Sequence, residues 1–442
     1  MIKLMFQGKS SDAGVSSFQA LSIALSGRVG TGNIAGTATA IAFGGPGAVF
    51  WMWMIAFIGA SSAFIESTLA QIYKVKQDGQ YRGGPAYYIE KGIGWKWYAV
   101  LFAISSIIAV GLLMPGIQSN SIATGLENAF GLSPTLTGIL LVVLIGAIIF
   151  GGVKRIATVA QYVVPFMALA YILLALVIMV LNITQLPAVF ALIIKSALGF
   201  DSAFGGILGM AISWGVKRGI YSNEAGQGTG AHAAAAAEVS HPAKQGLVQA
   251  FSIYIDTLLV CSATAFMILF TGMYNTVGKD GRFIVENLQG VEPGPGYTQA
   301  AIETVFPGFG ASFVAIALFF FAFTTIMAYY YIAETNVAYL MRGKNGTWLM
   351  TGLKIMLLIA TFYGAVKTAD LAWALGDVGL GIMVWLNLIA ILILAKPALQ
   401  TLKDYEEQKQ QGLDPVFDPI KLGIKNADYW VHDFKRDEER VS

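Results

Sequence analysis

Charge is scarce in this 442-residue chain: Asp, Glu, Lys and Arg make up 12% of it, about half the ~25% of an ordinary soluble domain. With 56% hydrophobic residues and a mean hydropathy of +0.65, that shortage excludes a soluble globular protein and identifies an integral membrane protein. Cysteine is scarcer still. The single Cys261 excludes an internal disulfide and leaves the redox compartment open. His232 and His241 have no Cys or His partner at metal-ligand spacing, which argues against a metal centre. A net charge of only +2 offers no basic surface for nucleic acid. The chain has no GK[ST] phosphate loop, no nucleophile beside a base and no metal cluster, so neither an enzyme nor a bound cofactor is expected. No cleavable signal peptide is expected either, because no compact apolar core with a cleavage site follows the first residues.

What the chain does have is long uncharged runs. Residues 29–65, 97–126, 128–153, 156–194 and 304–333 carry no charge, and each exceeds the ~20 residues needed to cross a bilayer. Pro46, inside GGPG, splits the first run, and apolar segments at 203–219, 246–272, 347–366 and 371–395 add to the count. The expectation is an all-α polytopic membrane protein of about ten spans. Residues 1–15 form a polar N-terminal segment, 16–395 the transmembrane domain and 396–442 a charged C-terminal tail. Placing the N-terminus inside assigns fourteen Lys and Arg to internal loops, among them Lys9, Lys154, Lys217 and Arg218, against four outside. The positive-inside rule then predicts a multi-pass protein of the cell membrane with both termini cytoplasmic.

The sequence Gly30-Thr31-Gly32-Asn33 lies in the middle of the apolar stretch 16–44, with Gly27 and Gly36 nearby. Each helical glycine costs about 1 kcal/mol relative to alanine, so the first span is expected to break at mid-membrane depth. Broken helices are tolerated there only when buried in protein or lining a cavity, and they recur as solute and ion sites of secondary transporters. Close packing through small residues is the competing explanation for the glycines. A second break is expected in the sixth span, near the DSAFGG sequence that includes Phe204, with apolar pieces on both sides. Breaks at corresponding positions of two five-span halves point to an inverted repeat.

Freed carbonyls at Gly30 and the hydroxyl of Thr31 suit a cation, half-helix amides suit a carboxylate, and Asn33 could orient either. In FAFTTIMAYYY, Thr324 and Thr325 lie near the middle of the eighth span, and Tyr329 follows Thr325 by one turn on the same face. Two hydroxyls and an aromatic suit a small cation beside a small solute, although Thr hydroxyls also bond their own preceding turn. Gln118 either touches solute or bridges helices. Thus Gly30, Thr31, Gly32, Asn33, Gln118, Phe204 and Tyr329 are the expected solute site, and Thr324, Thr325 and Gly30 the sodium site. Glu66 and Glu334 are expected to pair with loop Lys or Arg. Asp256 is the deep carboxylate and could relay protons or support a sodium site. No acid is expected at either break, which favours sodium over a proton as the coupling ion.

The stretches GRVGTGNIAGTATAIAFGGPGAVFWMW, RGGPAYYIEKG and SNEAGQGTGAHAAAAAEVSHPAKQGLVQAFSIYIDT resemble the alanine or glycine:cation symporter family, also called sodium:alanine symporters. The likeness runs from about Phe6 through the last span. It implies a leucine-transporter-like fold, a five-plus-five inverted repeat with discontinuous first and sixth spans, and symport of a small neutral amino acid with sodium, sometimes with protons. Thr31 and Asn33 match the family's unwound first core helix, and Thr325 its site in the eighth span. Two departures stand out: members usually carry an extra helix ahead of the core, and where they have Trp one turn after the Thr, this chain has Tyr329. The alternatives are a proton-coupled symporter and a non-transporting membrane sensor on the same fold.

Overall fold

A computed structural model describes residues 1–8, 10–151 and 153–434. Lys9, the Lys154 side chain and residues 435–442 of the tail, all part of the charge and domain expectations above, lie outside the described residues. The structure is helical apart from two short antiparallel hairpins, Val75–Gln77 with Gln80–Arg82 and Asn275–Val277 with Phe283–Glu286. Among the described residues seven helices are long and apolar enough to cross a membrane: Gly47–Ile72, Lys96–Phe130, Arg155–Leu181, Pro242–Thr271, Gly310–Leu340, Thr347–Val366 and Ala369–Ile393. Pro134–Ile149 is apolar but shorter.

The first broken helix starts at Ser17 under a capping box. The Ser16 hydroxyl accepts from Gln19 N–H at 3.2 Å, and Gln19 Oε1 accepts from Ser16 N–H at 3.0 Å, which satisfies donors the helix start would otherwise leave bare. Helix Ser17–Arg28 stops where Val29 leaves helical dihedrals, with ψ at 85°. The chain resumes as a wide π turn, Gly32–Gly36, and continues as Thr37–Gly44. Gly45 then turns with φ +70° into Pro46 and the next helix, so the GGPG division is real.

The second break is not where the sequence suggested. Residues 186–197 form a separate helix, Leu186–Ala197, packed on Gly47–Ile72. DSAFGG is the turn after it, and Phe204 lies against Gly45, next to the turn that ends the first broken helix. The interrupted helix is Leu208–Asn223 followed by Thr229–Ala236. Glu224, Gly226 and Gly228 have φ of 56°, 80° and 83°, a left-handed run that no right-handed helix can pass through. The EAGQG sequence is therefore a mid-helix break. Lys217 and Arg218 consequently lie within a helix, and both pair with Asp377, at 2.6 and 3.2 Å. They drop out of the loop tally.

Small residues let these elements approach closely. A Cβ on Gly215 would stand 2.5 Å from Ala48 carbonyl oxygen, so the second broken helix lies directly on Gly47–Ile72. At the end of the bundle that holds both termini, Glu238 N–H donates to Val15 carbonyl oxygen at 2.9 Å and Phe417 N–H to that of Ser240 at 3.0 Å. The N-terminal segment, the end of the second broken helix and the tail thus meet on one side.

Candidate functional site

Where the first broken helix leaves its hydrogen-bond ladder, side chains take the place of backbone partners. Gly30 N–H donates to Asn33 Oδ1 at 2.8 Å, and Thr31 N–H to Gln118 Oε1 at 3.1 Å. Gln118, carried by helix Pro115–Phe130, turns its amide nitrogen to the phenols of Tyr221 at 3.1 Å and Tyr329 at 3.5 Å. Three other helices therefore converge on the break. The Thr31 hydroxyl is buried among them without a hydrogen-bond partner, a polar oxygen left free for a ligand.

Glycine is required at this crossing. A Cβ on Gly30 would lie 2.4 Å from Thr325 Oγ1 and 3.1 Å from Gln118 Oε1. Thr325 Oγ1 donates to Ser26 carbonyl oxygen at 2.8 Å and to that of Phe321 at 3.0 Å, which ties Gly310–Leu340 to the last turn before the break. Its neighbour Thr324 bonds only its own preceding turn, at 2.9 and 3.0 Å to Phe320 and Phe321. The structure thus brings Gly30, Thr31, Gln118, Thr325 and Tyr329 together and leaves Thr324 and Phe204 outside that group. Gly32 faces the second broken helix, where a Cβ would meet Ser222 Cα at 2.9 Å.

Asn33 faces away from the tyrosines. Its Nδ2 donates to Asp256 Oδ1 at 2.6 Å. Asp256 lies in a π-helical stretch, Ile255–Cys261, a distortion found frequently at functional sites. It also accepts from Ser222 at 3.1 Å and Thr257 at 2.8 Å, while Cys261 Sγ packs 3.2 Å from Ser222 Oγ. An acid therefore does lie at the first break, contrary to expectation. A second lies at the other break: Glu224 accepts from Thr229 Oγ1 at 2.8 Å. Glu66 does not pair with a loop base either. It accepts from Gly228 N–H at 3.0 Å and Asn387 Nδ2 at 2.9 Å, and so caps amides that the second break exposes. Glu334 does pair with loop Arg82, at 3.3 Å.

Arg28, Tyr221, Ser222 and Glu224 are participants the sequence reading did not select. Arg28 carried a signal, a full charge within an apolar span; the glycines of EAGQG carried another. His232 bonds Gly228 carbonyl oxygen at 2.9 Å and Asn336 at 3.0 Å, and among the described residues no group of three His, Cys, Asp or Glu is placed to hold a metal ion.

This arrangement gathers neutral oxygens, phenols and unwound backbone in a buried cluster, with an acid behind it. Neutral oxygens beside broken-helix backbone are the donor types that suit a zwitterion and a hard cation. The sodium:alanine symporter family model matches residues 1–419. The chain is 77% identical, over its whole length and 91% of the relative, to the putative sodium/proton-dependent alanine carrier protein YrbD of Bacillus subtilis (strain 168). It is 60% identical to the sodium/proton-dependent alanine carrier protein of Bacillus sp. (strain PS3), covering all of this chain and 99% of that one. Among solved structures, the Eremococcus coleocola manganese transporter superposes with a TM-score of 0.61 at 13% identity, over 88% of this chain and 82% of that chain, which shows a shared fold.

Proposed function

The chain belongs to the sodium:alanine symporter family, and from that premise we propose that it is a secondary active symporter carrying alanine, or the smaller glycine, into the cell with sodium by alternating access. The observation that carries this reading is the meeting of the first break with Gln118, Tyr221 and Tyr329 beside Thr325. In this reading Gly30, Thr31, Gly32, Gln118 and Tyr329 form the solute pocket, with Tyr221 added, and the amides of the broken helix receive the carboxylate. Sodium lies between Thr325 Oγ1 and the backbone from Ser26 to Gly30, held by neutral oxygens that need no proton transfer. Asn33 acts as the clamp that keeps the break open. The ten-span, five-plus-five architecture and the cytoplasmic termini belong to the same proposal, supported by two broken helices and by both termini meeting at one end. The lipid bilayer is the partner of its outer surface, and no cofactor is needed beyond the ion.

Asp256 supports a second reading, in which a proton is the driving ion, because a titratable group bonds Asn33 at the break. Radiolabelled alanine uptake into proteoliposomes, with sodium and proton gradients imposed separately, decides between them. A sodium gradient alone should drive accumulation, and Thr325→Ala should raise the sodium concentration for half-maximal uptake more than it alters alanine affinity at saturating sodium. Uptake that follows a pH gradient in sodium-free buffer, and disappears in Asp256→Asn, would replace sodium with the proton.

A further inference from the structure

Behind the pocket, where the last turn before the first break meets the second, four charged side chains are enclosed. Arg28 and Glu224 are each 1% exposed, and Glu66 and Asp256 are fully enclosed. Arg28 Nε donates to Asn223 carbonyl oxygen at 2.9 Å and Nη1 to Gln249 Oε1 at 2.8 Å, with Ser252 also on Nη1. The cluster fits tightly between the broken helices. A Cβ on Gly27 would stand 2.8 Å from Glu224 Oε2, and one on Gly230 would overlap Arg28 Nη2.

Formally the group holds one guanidinium and three carboxylates, and buried charge at that imbalance is strongly unfavourable unless something neutralises it. The hydrogen bonds distinguish the three acids. Asp256 accepts on both oxygens, from Asn33, Ser222 and Thr257, as a carboxylate requires. Glu66 and Glu224 do not. Each accepts on Oε2 alone, while Glu66 Oε1, Glu224 Oε1 and Arg28 Nη2 are buried without partners. One guanidinium can match only one of the three carboxylates, so two negative charges are left over, and the bare oxygens lie at Glu66 and Glu224, the two acids that act most strongly on Arg28.

We propose that the Glu66–Arg28–Glu224 cluster is a proton-binding site, in which the closed carrier holds a proton on this carboxyl pair and exchanges it when the first broken helix moves away from the second. The groups facing the pair are Arg28 from the first broken helix, Asp256, Tyr88 through Asn387, the phenols of Tyr221 and Tyr329, and His232 through Gly228. Protonation removes a buried charge and so favours the closed arrangement. Deprotonation leaves two like charges at the hinge and opposes closure. This gives the carrier a dependence on protons separate from its driving ion, and it rests on the symport reading above only for its transport consequence.

The test has two readouts on purified full-length protein. Infrared difference spectra between neutral and alkaline pH should show a protonated-carboxyl C=O band that Glu224→Gln or Glu66→Gln removes and Asp256→Asn retains. Sodium-driven alanine uptake should fall as pH rises in the wild type and be flat with pH in Glu224→Gln, whose neutral amide mimics the protonated form. If one glutamine variant fails to insert, the other decides. Absence of the band in wild type, its loss only in Asp256→Asn, or an unchanged pH profile with the band intact in both glutamine variants would overturn the proposal. Failure of the wild type to take up alanine would instead overturn the symport reading, and the infrared band would still decide this one.

Discussion

At the scale of single residues, the first break is stabilised by very few groups. Asn33 is the clearest, because one amide bridges Gly30 N–H and Asp256 Oδ1. Removing it strands the buried Gly30 donor, at roughly 1–3 kcal/mol, and takes the shorter of two donors from Asp256 Oδ1, which keeps Ser222 at 3.2 Å. Asn33→Ala should therefore abolish uptake and also lower the thermal unfolding temperature of the detergent-solubilised protein; unaltered stability with lost uptake would make Asn33 a ligand group rather than a clamp. In the proposed solute site Tyr329 stands on the opposite side of Gln118. Its phenol lies 3.5 Å from Gln118 Nε2, and an indole there would take up more of the enclosed space. Tyr329→Trp should raise the preference for glycine over alanine in competition assays, and an identical profile would remove Tyr329 from the pocket.

At the scale of elements, the tail behaves as part of the membrane domain. After helix Ala395–Gln410, residues 411–434 return across the terminal end of the bundle. Phe417 and Tyr405 enclose the His241 ring, Asp414 pairs with Lys244 at 2.6 Å, and Trp430, 1% exposed, donates to Gln71 carbonyl oxygen at 2.9 Å. Burial pushes the His241 imidazole down to about 4, with Asp404 opposing. Release of the tail lifts Phe417 off the ring and moves the imidazole back toward its ordinary 6.5, so docking binds the proton less well than release does. Docking is then at full strength above about pH 6.5 and weakens as pH falls toward 4. Hydrogen exchange across 411–434 should accelerate over that window. His241→Asn, which keeps a capping side chain for Ala243 N–H, should make it flat; an unchanged profile would assign the effect to another group.

Taken as a whole molecule, the bundle is covered on both sides of the first break. At the end away from the termini, the Arg218 guanidinium lies 3.9 Å from the centre of the Trp373 ring and 3.2 Å from Asp377, and Trp373 packs on Tyr221 with ring centres 5.0 Å apart. The termini, the tail and the hairpin Val75–Arg82 cover the other. Cys261, 2% exposed and beside Asn33, is a native reporter of opening. Small thiol reagents should label it slowly in the wild type and faster in Arg218→Ala, which loses both the ion pair and the cation–π contact. Equal rates would show that Arg218 does not control that closure.

The membrane class, the first break and its partners Gln118, Thr325 and Tyr329 were legible in the sequence because they depend on local sums: apolar length against bilayer thickness, and glycines against helix propensity. The second break was not. Asp201 drew the interruption to DSAFGG, and Lys217 and Arg218 made the true helix look like a loop, since their partner Asp377 lies 159 residues from Arg218. The acids were misjudged for the same reason. Asp256 is 223 residues from Asn33, and Glu66 is 162 from Gly228. Whether a buried charge is paired, capped or bare depends on which groups surround it, and that neighbourhood exists only once distant helices have packed. The sequence by itself therefore determined that the chain is a membrane protein of several helices and where its first helix breaks; the tertiary structure alone decided where the second one breaks and which carboxylates lie at each.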